Sequence, residues 1–207
     1  MHWLCLCQAY RSIDSVKIDG MTADTRESIM SAARAAVQTL GYNALSFREI
    51  AKAVGIKSAS VHYHFPTKGD LAAALAGRYA DEAGAFLDAL IVAPHDHKTL
   101  MGAYTAAFRR ALEDDNKMCL CGIMSAEYDG LPSHVRTEVD RFTDTNTQWL
   151  FRVLSARHPK AAQHDLEARA LAIFAAVEGA QLVARGRKNI QWFDKVIASY
   201  TASGLFD

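Results

Sequence analysis

The stretch 46–65, SFREIAKAVGIKSASVHYHF, decides how the rest of this chain is read. Phe47, Ile50, Ala51 and Val54 recur at i, i+3, i+4 and i+7, which lays one apolar stripe along a short helix. Ser46 can cap that helix, and Glu49 three residues on completes a capping box. Gly55 ends it, and Ile56 can plug the angle into the core. Ser58 can cap a second short helix, 59–64, stopped at Phe65-Pro66 because the residue before proline avoids helical backbone. Two short helices across a glycine turn read as a helix-turn-helix, whose second member can lie in a DNA major groove. An ordinary helical hairpin inside an α-helical domain is the other reading of the same pattern.

The second helix is composed for exposure. Val61 and Phe65, four residues apart, can anchor it, which leaves Ser58, Ala59, Ser60, His62, Tyr63 and His64 largely free. Small residues at its start let backbone approach phosphates, whose charge a helix N-terminus favours. Hydroxyls and imidazole nitrogens can serve base edges or phosphates, and Tyr63 can reach a phosphate through its own hydroxyl.

The wording FREIAKAVGIKSASVHYHFPTKGDLAAAL resembles the N-terminal signature of TetR/AcrR-type transcriptional regulators, in its F-R-E-I-A opening, V-G-I turn, H-Y-H-F ending and T-K-x-x-L continuation. The resemblance implies a dimeric, all-α DNA-binding repressor with a ligand pocket in its C-terminal domain. It places Ser46, Ser58, Ala59, Ser60, His62, Tyr63 and His64 at DNA and sets Lys68 against a phosphate. His62 stands where the family often has tyrosine and Ala59 where glycine or proline is frequent, so an operator preference does not transfer.

Working outward, 207 residues that are 50% hydrophobic suffice for a real core and one or two domains. Zero formal net charge excludes an indiscriminate polycation. Within 22–70, however, Arg26, Arg34, Arg48, Lys52, Lys57 and Lys68 outnumber Asp24, Glu27, Glu49 and Asp70, a basic bias of the sign DNA requires. No apolar run reaches the roughly 18 residues of a membrane span, so no membrane partner is expected. Four cysteines without a secretory signal point to reduced thiols in the cytoplasm.

Residues 1–20 stand outside the pattern and read as a disordered or mis-annotated extension, with 21–67 the DNA-binding domain and 68–207 a ligand-binding and dimerisation domain. A first helix from Asp24, boxed by Glu27, carries Ile29, Ala33, Ala36, Val37 and Leu40 and stops at Gly41. Thr67 can cap a long helix to about Leu90 that joins both halves. Helical periodicity continues through 98–112, 120–128, 135–157, 166–186 and 193–200 without a convincing strand, about nine helices in all. In the last two helices, Ala170, Phe174, Val177, Gln181, Phe193, Val196, Ile197 and Tyr200 are the expected homodimer interface, a four-helix contact about a two-fold axis.

Chemistry beyond binding has little support. No phosphate loop, dinucleotide fingerprint or H-E-x-x-H is present. His95-Asp96-His97 reads as a solvated loop, and the C-L-C spacings fall short of the C-x₂₋₄-C pairs of structural zinc, so no metal, cofactor or catalytic set is expected. An effector pocket would draw on Met101, Tyr104, Phe108, Met118, Cys119, Met124, Tyr128, Phe142, Asn146, Trp149 and Glu178, with Tyr104, Asn146 and Glu178 its polar part. The same residue types also build plain core. The run C-L-x-x-x-x-S-A-E, from Cys119 to Glu127, resembles a segment of family members that include a repressor responsive to electrophiles. Cys119 would then be a reactive thiolate at a helix N-terminus, the alternative being a buried cysteine acting as a small hydrophobe. The function expected is a ligand-responsive repressor on a palindromic operator. The alternatives are an all-α small-molecule binding or adaptor protein that does not bind DNA, and a thiol-based sensor.

Overall fold

A computed structural model describes residues 21–93 and 96–207. The extension expected at residues 1–20 and the His95 part of the histidine cluster lie outside the described residues. Among the described residues there are nine α-helices and no strand. They are α1 (Met21–Leu40), α2 (Phe47–Val54), α3 (Ser58–His64), α4 (Lys68–Val92), α5 (His97–Glu113), α6 (Leu120–Ser125), α7 (Ser133–Arg157), α8 (Gln163–Gly186) and α9 (Gln191–Ala202).

α1 buries Ile29, Met30, Ala33 and Val37 on the face its periodicity assigns. It runs through Asp24 rather than starting there, since no proline or glycine interrupts the segment after Met21. α2 ends as its glycine requires. Gly55 takes the left-handed backbone, φ 79°, that glycine adopts without Cβ strain. Its N–H and that of Ile56 return to the carbonyls of Lys52 and Ala51 at 3.3 and 2.9 Å, closing the helix.

Two capping expectations fail. Ser46 makes no side-chain cap bond, and Glu49 turns to Arg48 at 3.3 Å instead of back to the helix start. Ser58 is the first helical residue of α3 rather than its cap, and that position falls to Lys57. Both serine hydroxyls are thereby left without a cap bond. Thr67 does cap α4: its Oγ1 accepts from the Asp70 N–H at 3.1 Å, and the Asp70 carboxylate accepts from the Thr67 N–H at 2.9 Å.

α4 has 25 residues, roughly 37 Å at 1.5 Å per residue, long enough to run from the reading helices into the body. Its main partner is α7, which in turn packs on α8, and α8 carries α9. The core continues through this bundle without a break, centred on fully buried Trp149, Tyr104, Leu150 and Ile173. Trp149 satisfies its indole N–H on the Leu87 carbonyl at 2.7 Å, which ties α7 to α4 by a polar bond inside apolar surroundings.

Candidate nucleic-acid interface and sensor core

α3 is held by its two predicted anchors. Val61 is fully buried and Phe65 nearly so, with the Arg26 guanidinium of α1 4.9 Å from the Phe65 ring centre. Ala59, His62 and Tyr63 are exposed, Tyr63 by 78%, while Ser46, Ser58, Ser60 and His64 are half-buried. A tyrosine left that open on a seven-residue helix contributes little to packing. His62 is less free than its exposure suggests. Its ring packs edge-on against Phe47 at 4.8 Å, and its Nδ1 lies 3.3 Å from the Pro66 carbonyl.

Lys68 is half-buried beside the turn before α2. Its ammonium donates to the Asn43 carbonyl at 3.1 Å and sits 4.2 Å over the Tyr42 ring, a bond to the chain rather than an outward reach. Burial lowers its pKa below the ordinary lysine value, and the Glu127 carboxylate partly offsets this. Lys52 and Lys57 are exposed. Their signal was present in the local basic excess.

The reading helices are tied to the body at one turn. Glu127, just past α6, accepts from the Tyr42 and Asn43 N–H groups and from Asn43 Nδ2, the last at 2.8 Å. Beside it Gln38 of α1 pairs twice with Met118, donating from Nε2 at 2.9 Å and accepting from its N–H at 3.1 Å. Arg34 meets Glu82, and Arg78 meets Glu27, each at 2.7 Å, so α1 is also clamped along α4.

Met118, Cys119 and α6 lead inward to the predicted sensor residues. Met101, Tyr104, Phe108, Met118, Cys119, Met124, Phe142, Asn146 and Trp149 are all buried. Tyr104 stacks on Trp149 at 5.2 Å and meets Phe108 edge-on at 5.4 Å, while Phe142 contacts Tyr79 at 5.2 Å. Asn146 is not available as a ligand group through its amide nitrogen, which donates to the Phe142 carbonyl at 2.9 Å. Tyr128 does not join the cluster. It lies toward the surface with its hydroxyl on Asp140 at 2.8 Å, and that bond raises its pKa.

Glu178 does join, and in an unusual state. Both carboxylate oxygens are shut from solvent; among the described residues they meet no N–H or O–H donor, only the Cys119 thiol, and the Tyr104 hydroxyl is unpartnered. Burial raises the Glu178 pKa to about 7, with the neighbouring Cys119 thiol easing it slightly. Cys119 is the N-cap of α6, and its Sγ accepts from the Gly122 N–H at 3.4 Å, as a helix-stabilised thiolate would. Burial outweighs that bond, and the Glu178 carboxylate and Cys121 push the same way, so the thiol sits well above its ordinary pKa. Cys119 is 1% exposed, and burial with these neighbours favours the buried-hydrophobe alternative over the reactive thiolate.

The expected dimer face needs correction in register. Ala170, Val177, Gln181 and Phe193 are buried within the chain. Gln181 is an internal bridge, accepting from the Cys119 N–H at 2.9 Å and donating to the Phe108 carbonyl at 2.7 Å. Phe174 packs against Phe108 and Phe142 at 6.5 and 6.2 Å, while Val196 and Ile197 lean on the core half-covered. What α8 and α9 leave outside is Leu171, Leu182, Val183, Trp192 and Tyr200, interleaved on α8 with exposed Ala172, Ala175 and Gly179. Periodicity alone marks two apolar stripes on α8, and only packing tells which one faces the core.

Among the described residues no cluster of histidine, cysteine or acidic groups could hold a metal, and no helix is long and apolar enough to cross a membrane. Residues 29–75 match the family described as bacterial regulatory proteins, tetR family. No curated protein matches the chain. Among solved structures, a TetR transcriptional regulator from Legionella pneumophila is 29% identical, with 91% of this chain and 99% of that one covered at a TM-score of 0.82. A TetR-family regulator from Agrobacterium tumefaciens is also 29% identical, covering 84% and 94% at 0.79. The reduced form of Escherichia coli NemR, at 18% identity, shares the fold alone, with 85% and 94% covered at 0.73.

Proposed function

We propose, from the premise that this chain is a TetR-family transcriptional regulator, that it is a homodimeric repressor of a palindromic operator, released when an effector enters its C-terminal helices. The similar proteins are regulators, a non-enzymatic class. The observation that carries the DNA-binding part is α3 itself. It is pinned by Val61 and Phe65 and spends the rest of its surface on small residues, hydroxyls and a bare Tyr63. In this reading Ala59, Ser60 and Tyr63 approach base edges, with Ser58, His62 and His64 beside them. Ser46 and Lys57 meet phosphates on either side, and Lys68 positions the α1–α2 turn through Tyr42 and Asn43.

Homodimerisation is supported by the exposed apolar face of α8 and α9. Leu171 and Leu182 are more than half exposed, and the alanines and glycine between them permit close helix approach. Two such faces about a two-fold axis would present paired α3 helices to half-sites roughly 34 Å apart, or a multiple of that spacing. Effector response is supported by continuity from core to head: Glu178 beside Cys119, Cys119 opening α6, and Glu127 past its end holding the turn before α2. An occupant that moves α6 biases the spacing of the heads.

The test is fluorescence anisotropy on labelled duplexes from the DNA flanking the chain's own gene, run beside sedimentation of the free protein. A salt-dependent, sequence-selective complex of two chains per site is expected. Monomer in solution together with equal affinity for scrambled DNA would leave the small-molecule binding protein as the better reading.

A further inference from the structure

The proposed effector site holds a group that the folded chain does not satisfy. Glu178 brings a carboxylate from α8 into the middle of the bundle, where both oxygens are out of solvent and only the weakly donating Cys119 thiol hydrogen-bonds them among the described residues. A buried carboxylate with so little compensation is costly in its charged form. Its neighbours are the Cys119 and Cys121 thiols and the Tyr104 hydroxyl. None is a cation. The Tyr104 hydroxyl is itself fully buried with nothing to bond.

Local backbone is shaped around this carboxylate. A Cβ on Gly122 would collide with Glu178 Oε2, so glycine at that place in α6 is what admits the group. Tyr104, whose hydroxyl lies near this carboxylate, carries the ring contacts outward, stacking on Trp149 and meeting Phe108 edge-on. The residue Trp149 also borders a surface cleft of about 480 Å³ between α4 and α7, together with Gly84, Thr145 and Gln148.

A buried anion without a counter-charge, a free hydroxyl able to accept or donate, and a wall of π faces are complementary to one chemistry. We infer that the effector is a small aromatic amine bound as its cation, with the ammonium between Glu178 and the Tyr104 hydroxyl and its ring among the Tyr104, Trp149 and Phe108 faces. This inference rests on the reading of the C-terminal core as the effector site. Neutral aromatics would gain the apolar contacts but leave the carboxylate unsatisfied, and anionic ones would oppose it.

Three probes of nearly one shape separate these cases: phenethylamine, 2-phenylethanol and 3-phenylpropanoate, titrated calorimetrically into the full chain. The amine is expected to bind at least about tenfold more tightly than the alcohol, the scale of one charge-assisted hydrogen bond, and the carboxylate not at all. In Glu178→Gln that preference is expected to fall to about twofold, and in Tyr104→Phe to shrink by less, with both variants retaining wild-type helical circular dichroism. Equal binding of amine and alcohol, unmoved by Glu178→Gln, would overturn the amine class while leaving an effector site in place. Binding of none of the three would overturn the amine class and count against the core as an effector site at all.

Discussion

α3 and the core around Glu178 are opposite solutions to presenting polar groups. On α3 the serines, histidines and Tyr63 stand at or near solvent, where water satisfies whatever DNA does not, so leaving them unpaired costs little. In the core, Glu178 has only the Cys119 thiol beside it and the Tyr104 hydroxyl has no partner among the described residues, and each carries a desolvation penalty. In the proposed reading the first surface binds duplex without reorganising, and occupancy of the second relieves a penalty and so changes the energy of the fold.

The contrast can be broken most directly at the head. Ala59→Glu puts a carboxylate on the exposed start of α3, against phosphate and against the basic bias of the segment. Operator affinity is expected to fall about 100-fold with the melting temperature unchanged, as read by anisotropy and thermal denaturation. An unchanged affinity would mean that α3 does not face DNA.

In the core the expected effect is on stability and depends on pH. The folded pKa of Glu178, about 7, lies above its ordinary value of 4.5, so the folded state holds the proton more tightly than the unfolded chain. Its penalty is absent below pH 4.5, grows as pH rises from 4.5 to 7, and is complete above that, on the order of 3 kcal/mol. Glu178→Gln is expected to be more stable than wild type at pH 8 and equal to it near pH 4. Denaturant melts at the two pH values check this, and parallel curves would show that Glu178 is already satisfied.

Glu127→Ala tests the link between the regions. It removes the acceptor of the Tyr42 and Asn43 N–H groups and is expected to cost about 1–2 kcal/mol. DNA affinity should drop only modestly, while hydrogen exchange at 41–43 should speed up. The smallest effect belongs to Lys57→Ala, which should weaken binding uniformly across sequences and reduce the salt slope by about one. An altered sequence preference in that variant would instead place Lys57 at a base.

Much of the head was legible in advance, because its signals are local. Gly55 takes the left-handed backbone that its place after Val54 implies, and Thr67 with Asp70 closes the box that its position before a helical run implies. Ser46 and Ser58 show the limit. Both have cap chemistry, but a cap requires a neighbour's side chain to turn inward, and Glu49 goes to Arg48. The core residues were legible as a set and not by role. Asn146, Gln181 and Glu178 are all polar groups turned into the core from helices, yet Asn146 donates to a carbonyl one turn back on its own helix, Gln181 bridges an N–H and a carbonyl far away in the chain, and Glu178 has only the Cys119 thiol beside it.

Periodicity and turn chemistry by themselves determined the all-helical class, the helix boundaries to within a few residues, and the helix-turn-helix with its exposed second member. Those properties arise from contacts a few residues apart along the chain. Which stripe of α8 faces outward, whether Lys68 reaches solvent, and whether the Cys119 thiol ionises were decided only by tertiary packing. Each depends on groups 25 or more positions away, Lys68 on Asn43 and Cys119 on Glu178, which only the folded bundle brings within reach. Burial and charge compensation belong to the assembled structure, and a linear string carries no measure of either.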